Sequence, residues 1–203
     1  PLVTAHGSTT HRKIIEVTAA EDGFQGHGEA APLPGFGLET FSESLTALQN
    51  WVKNPNRLPD APAARSAAAT AIENLEKARS SIAPTSGKIA VQALVGSSES
   101  SSIESEVSHA LNQGHLAIKV KVAASDTKTD IARIQSAIKL VGSEAALRLD
   151  ANGGWSLEDA LYVLSAVDSD DVDLVEEPTA NPLDWKKVNE ETGVKIGADE
   201  QLT

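Results

Sequence analysis

Lys119 and Lys121 stand two apart on one short apolar stretch, and three acids follow at nearly equal steps: Asp150, Glu176 and Asp199. Counted from Lys121, the steps are 29, 26 and 23 residues. Each is the length of one strand, one crossover helix and two loops, so every group falls at the C-terminal end of a successive parallel strand. The spacing requires an α/β fold with a parallel sheet. In barrels of this type those strand ends carry the chemistry.

The remaining pattern supports the same division. From residue 89 onward strands are expected over 90–95, 116–122, 146–150, 172–176 and 194–198, with helices over 103–113, 128–141, 156–167 and 183–191. Ser156 with Asp159 three residues later reads as a helix-capping pair, and Gly193 as a helix stop. Residues 89–203 therefore read as a partial (β/α) TIM-type barrel domain, strands one to five. Residues 1–88 read as a separate α+β unit. It has a hairpin of residues 12–19 and 23–30 around the turn pair Asp22-Gly23, a Pro/Gly-rich loop at 32–37, and helices over 38–52 and 63–80. In the second helix Ala69, Ile72, Leu75 and Ala78 form the expected apolar stripe.

Composition limits the partners. A formal net charge of −12 and a pI near 4.8 argue against nucleic acid or an anionic membrane, both of which select a basic face. No apolar run approaches the roughly 20 residues of a membrane helix. With no cysteine, disulfides and thiolate metal sites are excluded, and a cytoplasmic setting is expected. The five histidines lack the HxxxH or HExxH spacing of a zinc hydrolase. A small-molecule substrate remains.

Alternation in Ile118-Lys119-Val120-Lys121-Val122 puts both lysines on one face of the strand. Two neighbouring ammonium groups in a partly dry interior disfavour each other's protonation, so lowered pKa values are expected, and a lysine so tuned can take a proton from carbon. An isolated Lys-x-Lys is more often a solvated edge; three acidic strand ends downstream favour the interior reading. The acids lie in Leu149-Asp150-Ala151-Asn152, Val175-Glu176-Glu177-Pro178 and Ala198-Asp199-Glu200. Taken singly, each would be a helix cap or a solvated loop charge. Brought together, they need a cation, and oxygen-only ligands suit a hard ion such as Mg²⁺. The parts compose one reaction, proton abstraction alpha to a metal-held carboxylate.

These motifs resemble, in order and spacing, the enolase superfamily in its muconate lactonising enzyme-like branch. By that resemblance Lys121 matches the general acid/base and Lys119 its companion, while Asp150, Glu176 and Asp199 match three Mg²⁺ ligands. Glu176 is preferred to Glu177 because the first acid of Glu-Glu-Pro is the family's ligand position. The N-terminal stretches Pro1 to Gly7 and Gly28 to Thr40, with Arg148, are most similar to the o-succinylbenzoate synthase family. This resemblance implies that residues 1–88 form a capping domain whose loop at 32–37 shapes specificity, and that Arg148 binds substrate. It further implies eight barrel strands and an opposing lysine on the sixth, beyond Thr203, so the 203-residue stretch alone is expected to be unstable. Dipeptide epimerases and N-acylamino acid racemases share the same motifs and stay open as alternatives, as does a non-catalytic module that keeps the fold.

Overall fold

The computed structural model describes residues 2–4, 7–9, 11–33, 39–80, 87, 89–96 and 102–202. The chain divides into two compact units, one of Pro1 with Thr9–Gly87, the other of Leu2–Ser8 with Lys88–Thr203. Part of the Pro/Gly-rich loop, residues 34–38, lies outside the described residues, as do parts of the N-terminal stretch. Two short strands, β1 (Leu2–Thr4) and β2 (Gly7–Thr9), pair with each other.

In the first unit, β3 (Ile15–Glu21) and β4 (Phe24–Ala30) form an antiparallel hairpin. Asp22 and Gly23 both take positive φ, 51° and 82°, as the tight turn requires. Helix α1 (Phe41–Lys53) starts three residues later than the expected 38, because Thr40 caps it. The Thr40 side chain accepts from the Glu43 N–H, and the Glu43 carboxylate returns to the Thr40 N–H at 2.7 Å. Helix α2 (Pro62–Arg79) has no cap from its own N-terminal side chain. The buried carboxylate of Glu39 accepts from the Ala64 N–H at 3.3 Å instead, a negative charge at the positive end of the helix.

The buried stripe of α2 is Ala64, Ala67, Ala68 and Ala71, not the expected Ala69, Ile72, Leu75 and Ala78. The reason is the surface it meets. A Cβ on Gly26 would lie 2.1 Å from the Ala71 carbonyl oxygen, and one on Gly28 2.0 Å from that of Ala67. Helix backbone rests directly on strand backbone, which only the smallest side chains allow, and Ala78 is left exposed. Gly28→Val is therefore expected to lower the stability of this unit by about 3 kcal/mol or more in urea unfolding. A loss below about 1 kcal/mol would show that the helix can lift away at little cost.

The second unit holds five parallel strands in sequential order: β5 (Ala93–Val95), β6 (Ala117–Lys121), β7 (Ala146–Asp150), β8 (Leu174–Glu176) and β9 (Ile196–Gly197). Between them run α3 (Ile103–Asn112), α4 (Thr127–Val141), α5 (Leu157–Leu164) and α6 (Trp185–Thr192). This is the α/β alternation expected of a (β/α) barrel, with shorter strands. Ile118, Val120, Leu147, Leu149 and Val175 pack with Val107, Ile134, Ala137, Val163 and Val188 of the helices in one buried core. The alternate residues of β6, β7 and β8 point to the other face, and they carry the charges. The Ser156 hydroxyl accepts from the Asp159 N–H at 3.1 Å, and Gly193 closes α6 at φ 76°.

Candidate active site

Strand register sets the site. Lys121 pairs with Asp150, Asp150 with Glu176 and Glu176 with Gly197, so three of the five expected groups stand level on adjacent strands. The Lys119 ammonium lies 2.7 Å from Glu176 Oε2 and 3.0 Å from Asp150 Oδ2, bridging the two carboxylates. Lys121 Nζ lies 2.7 Å from the same Asp150 oxygen and also donates to Asn152 Oδ1. Asp150 is 2% exposed, and the two lysines 16% and 21%, so the cluster is largely shielded from water.

Lys119 does not behave as charge repulsion alone suggests. Burial favours the neutral amine of Lys119, but hydrogen bonds to Glu176 and Asp150, together with their charges, outweigh it and hold its pKa above the ordinary lysine value. The lowered value expected for Lys119 is thus corrected. Its carboxylate partners come from strands 31 and 57 residues away and contribute more than its neighbour on the same strand.

Asp199 is not gathered with the others. It is exposed, two residues past β9, and among the described residues no group of three or more acidic, histidine or cysteine side chains is close enough to hold one metal ion. Its neighbour Glu200 instead reaches the site, accepting from Asn152 Nδ2 at 3.0 Å. Arg148 is level with Lys119 in the register, where it donates to Asp173 Oδ2 at 2.8 Å and to Gln92 Oε1 at 3.2 Å.

Loops at the strand ends are held by residues that spacing did not single out. Of the four non-glycine residues with positive φ among the described residues, three follow the site strands: Ala123 at 62°, Asn152 at 45° and Glu177 at 43°. Each such residue costs about 1–3 kcal/mol, a strain that clusters where a fold must aim side chains. Asp130, fully buried on α4, ties two of these loops together: its Oδ2 accepts from the Ala123 N–H at 2.8 Å and from the Trp155 indole N–H at 3.0 Å. Trp155 in the Gly-Gly-Trp that follows Asn152 was the available signal, since a buried indole N–H needs an acceptor.

Burial pushes the Asp130 carboxyl above the usual aspartate value, against the Trp155 and Ala123 N–H groups and the Arg133 charge, with Asp126 adding slightly to the rise. The native state thus holds this proton more tightly than the unfolded chain. Relative to Asp130→Asn, the wild type should gain stability as pH falls through the raised native value, the gain being complete below the ordinary value of 3.8. Paired urea unfolding at pH 7 and pH 4 measures it. A wild type that loses ground to the Asn variant on acidification contradicts the assignment.

Parallel strands alternating with helices, with charged groups level at their ends, place this unit in the α/β barrel class of folds. Residues 102–203 match the enolase C-terminal domain-like family, and the chain belongs to it. It is 31% identical over 196 residues to the o-succinylbenzoate synthase of Enterobacter sp. (strain 638), covering 94% of this chain and 60% of that one. It is 41% identical over 96 residues to the L-Ala-D/L-Glu epimerase of Bacillus subtilis (strain 168), covering 45% of this chain and 26% of that one. Among solved structures, the o-succinylbenzoate synthase of Thermosynechococcus elongatus BP-1, complexed with Mg in its active site, superposes with a TM-score of 0.78 at 26% identity. That match covers 98% of this chain and 64% of the other. The chain thus spans less than two thirds of the length of these relatives.

Proposed function

We propose that this protein is a Mg²⁺-dependent o-succinylbenzoate synthase. It would dehydrate 2-succinyl-6-hydroxy-2,4-cyclohexadiene-1-carboxylate to o-succinylbenzoate, a carbon–oxygen lyase step in menaquinone or phylloquinone biosynthesis, in the cytoplasm. The observation that carries this reading is the extent of similarity. The Enterobacter synthase aligns along 94% of the chain, through both units, whereas the Bacillus epimerase aligns along 45%.

Two of the three expected ligands stand close enough together to suit a metal. Asp150 and Glu176 already share one cation, the Lys119 ammonium, through carboxylate oxygens, and hard oxygen donors suit Mg²⁺. In this reading Asp150, Glu176 and Asp199 hold it. When bound, Mg²⁺ supplies the positive charge that fixes the substrate carboxylate and stabilises the negative charge developing on it. Lys121 takes the ring proton alpha to that carboxylate. The electron pair of the broken C–H bond forms the ring double bond as the neighbouring C–O bond breaks, and the leaving hydroxide regains a proton from Lys121 to depart as water. The ring becomes aromatic, and atoms and charge balance. Lys119 offsets the carboxylate charge beside the base, and Arg148, anchored by Asp173, contributes a substrate contact.

A dipeptide epimerase or N-acylamino acid racemase is the second reading, favoured by the higher local identity of 41%. The full-length gene product, supplied with Mg²⁺, separates them. Ultraviolet loss of the cyclohexadiene should exceed α-proton exchange of L-Ala-L-Glu by about a thousandfold in kcat/KM. The reverse ratio establishes the epimerase, and no turnover of either favours a non-catalytic module.

A further inference from the structure

Glu177 is the second acid of Glu-Glu-Pro, and the proposed chemistry makes no use of it. It is nonetheless only 3% exposed. Its Oε1 accepts two backbone hydrogen bonds, from the N–H groups of Asp199 and Gln201, each at 2.9 Å. Its own N–H donates to the Gly197 carbonyl at 3.0 Å, and its carbonyl accepts from the Gly153 N–H at 2.6 Å. One residue therefore joins the chain just after β7, the end of β8 and the turn after β9. These are the three strand ends that carry Asp150, Glu176 and Asp199. Its φ of 43° accounts for the side-chain direction. Successive residues on a strand point to opposite faces. The left-handed turn at Glu177 instead sends its carboxylate along the strand ends toward β9, while Glu176 stays on Lys119.

We infer that Glu177 is a positioning residue, a clasp whose single carboxylate oxygen fixes the backbone at Asp199 and Gln201 and so sets the place from which the Asp199 side chain would reach a divalent cation held at Asp150 and Glu176. The inference rests on the ligand reading above. Acceptor geometry rather than charge carries the role, because both donors meet the same oxygen. A glutamine can place its carbonyl oxygen there, and a methionine of similar length cannot. Groups that orient metal ligands in this way typically change affinity by 10–100-fold.

The test compares Glu177→Gln and Glu177→Met in the full-length protein by two readouts. These are Mn²⁺ affinity by calorimetry and hydrogen exchange at the Asp199 and Gln201 amides. The Met variant is expected to lose protection at both amides and at least about tenfold in Mn²⁺ affinity, with Glu177→Gln keeping both near wild type. In an Asp199→Asn background Glu177→Met should weaken Mn²⁺ no further. If the Met variant does not fold, Glu177→Ala, which removes the acceptor without added bulk, carries the same comparison. Amides that stay protected without the acceptor overturn the clasp. So does an unchanged Mn²⁺ affinity where Asp199→Asn itself weakens binding, or a Gln variant as impaired as the Met variant. If Asp199→Asn binds Mn²⁺ like wild type, the ligand reading of Asp199 fails, and amide exchange alone decides whether Glu177 holds that turn.

Discussion

Lys121→Ala should abolish turnover of the cyclohexadiene, by about a thousandfold or more, while leaving the fold and Mn²⁺ affinity near wild type. A positioned general acid or base typically contributes 10²–10⁴-fold, and here one amine is assigned both removal of the carbon proton and its return to the leaving hydroxide. The fold should survive because Asp150 keeps a second cation, Lys119, at 3.0 Å. Substrate deuterated at the abstracted position adds a second check. A normal isotope effect is expected in the wild type, because the labelled bond is the one Lys121 breaks. A variant that keeps a tenth of the wild-type rate would move the base elsewhere, with Lys119 the next residue to substitute.

Asp150→Ala should be worse for the molecule as a whole. Its Oδ2 takes both lysine ammonium groups, and its Oδ1 accepts the Asn152 N–H at 3.2 Å. Deleting it leaves Lys119 with Glu176 alone and Lys121 with only the neutral Asn152 side-chain oxygen. Removing one partner of a buried ion pair costs about 3–5 kcal/mol. Urea unfolding should show a loss near the lower figure, since the lysines keep some access to water, and calorimetry should show no Mn²⁺ binding. Asp150→Asn separates the two effects: it keeps an acceptor for a lysine and should regain much of the stability without regaining the metal. Full Mn²⁺ affinity in either variant would contradict the assignment of Asp150.

The Lys-x-Lys strand and the acidic strand ends were legible because βα geometry fixes the length of a repeat, and a repeat length survives in sequence even where element ends do not. The strands proved shorter than expected, 93–95 against 90–95 and 196–197 against 194–198, since a strand ends where its ladder of hydrogen bonds ends and not where apolar residues do. The stripe on α2 was misplaced for a different reason. Helical periodicity ranks faces by apolar bulk, whereas β4 selects for smallness through Gly26 and Gly28. The direction of the Lys119 pKa was missed because its decisive partners stand on other strands. Asp130 and Glu177 act on backbone N–H groups of distant loops, and those contacts leave no spacing to count. Asn152 was partly legible: an asparagine tolerates the left-handed turn after Asp150, but its bridge from Lys121 to Glu200 exists only once β6 through β9 are assembled in one sheet.

The proposed chemistry is metal-assisted proton abstraction by Lys121 from a cyclohexadiene carboxylate. Its most direct test is the ultraviolet change on mixing that substrate with the full-length protein in Mg²⁺, then in EDTA, then with Mg²⁺ restored, beside the Lys121→Ala variant. Turnover should stop with EDTA, return with Mg²⁺ and be missing from the variant. Turnover that persists in EDTA, or in Lys121→Ala, would contradict it.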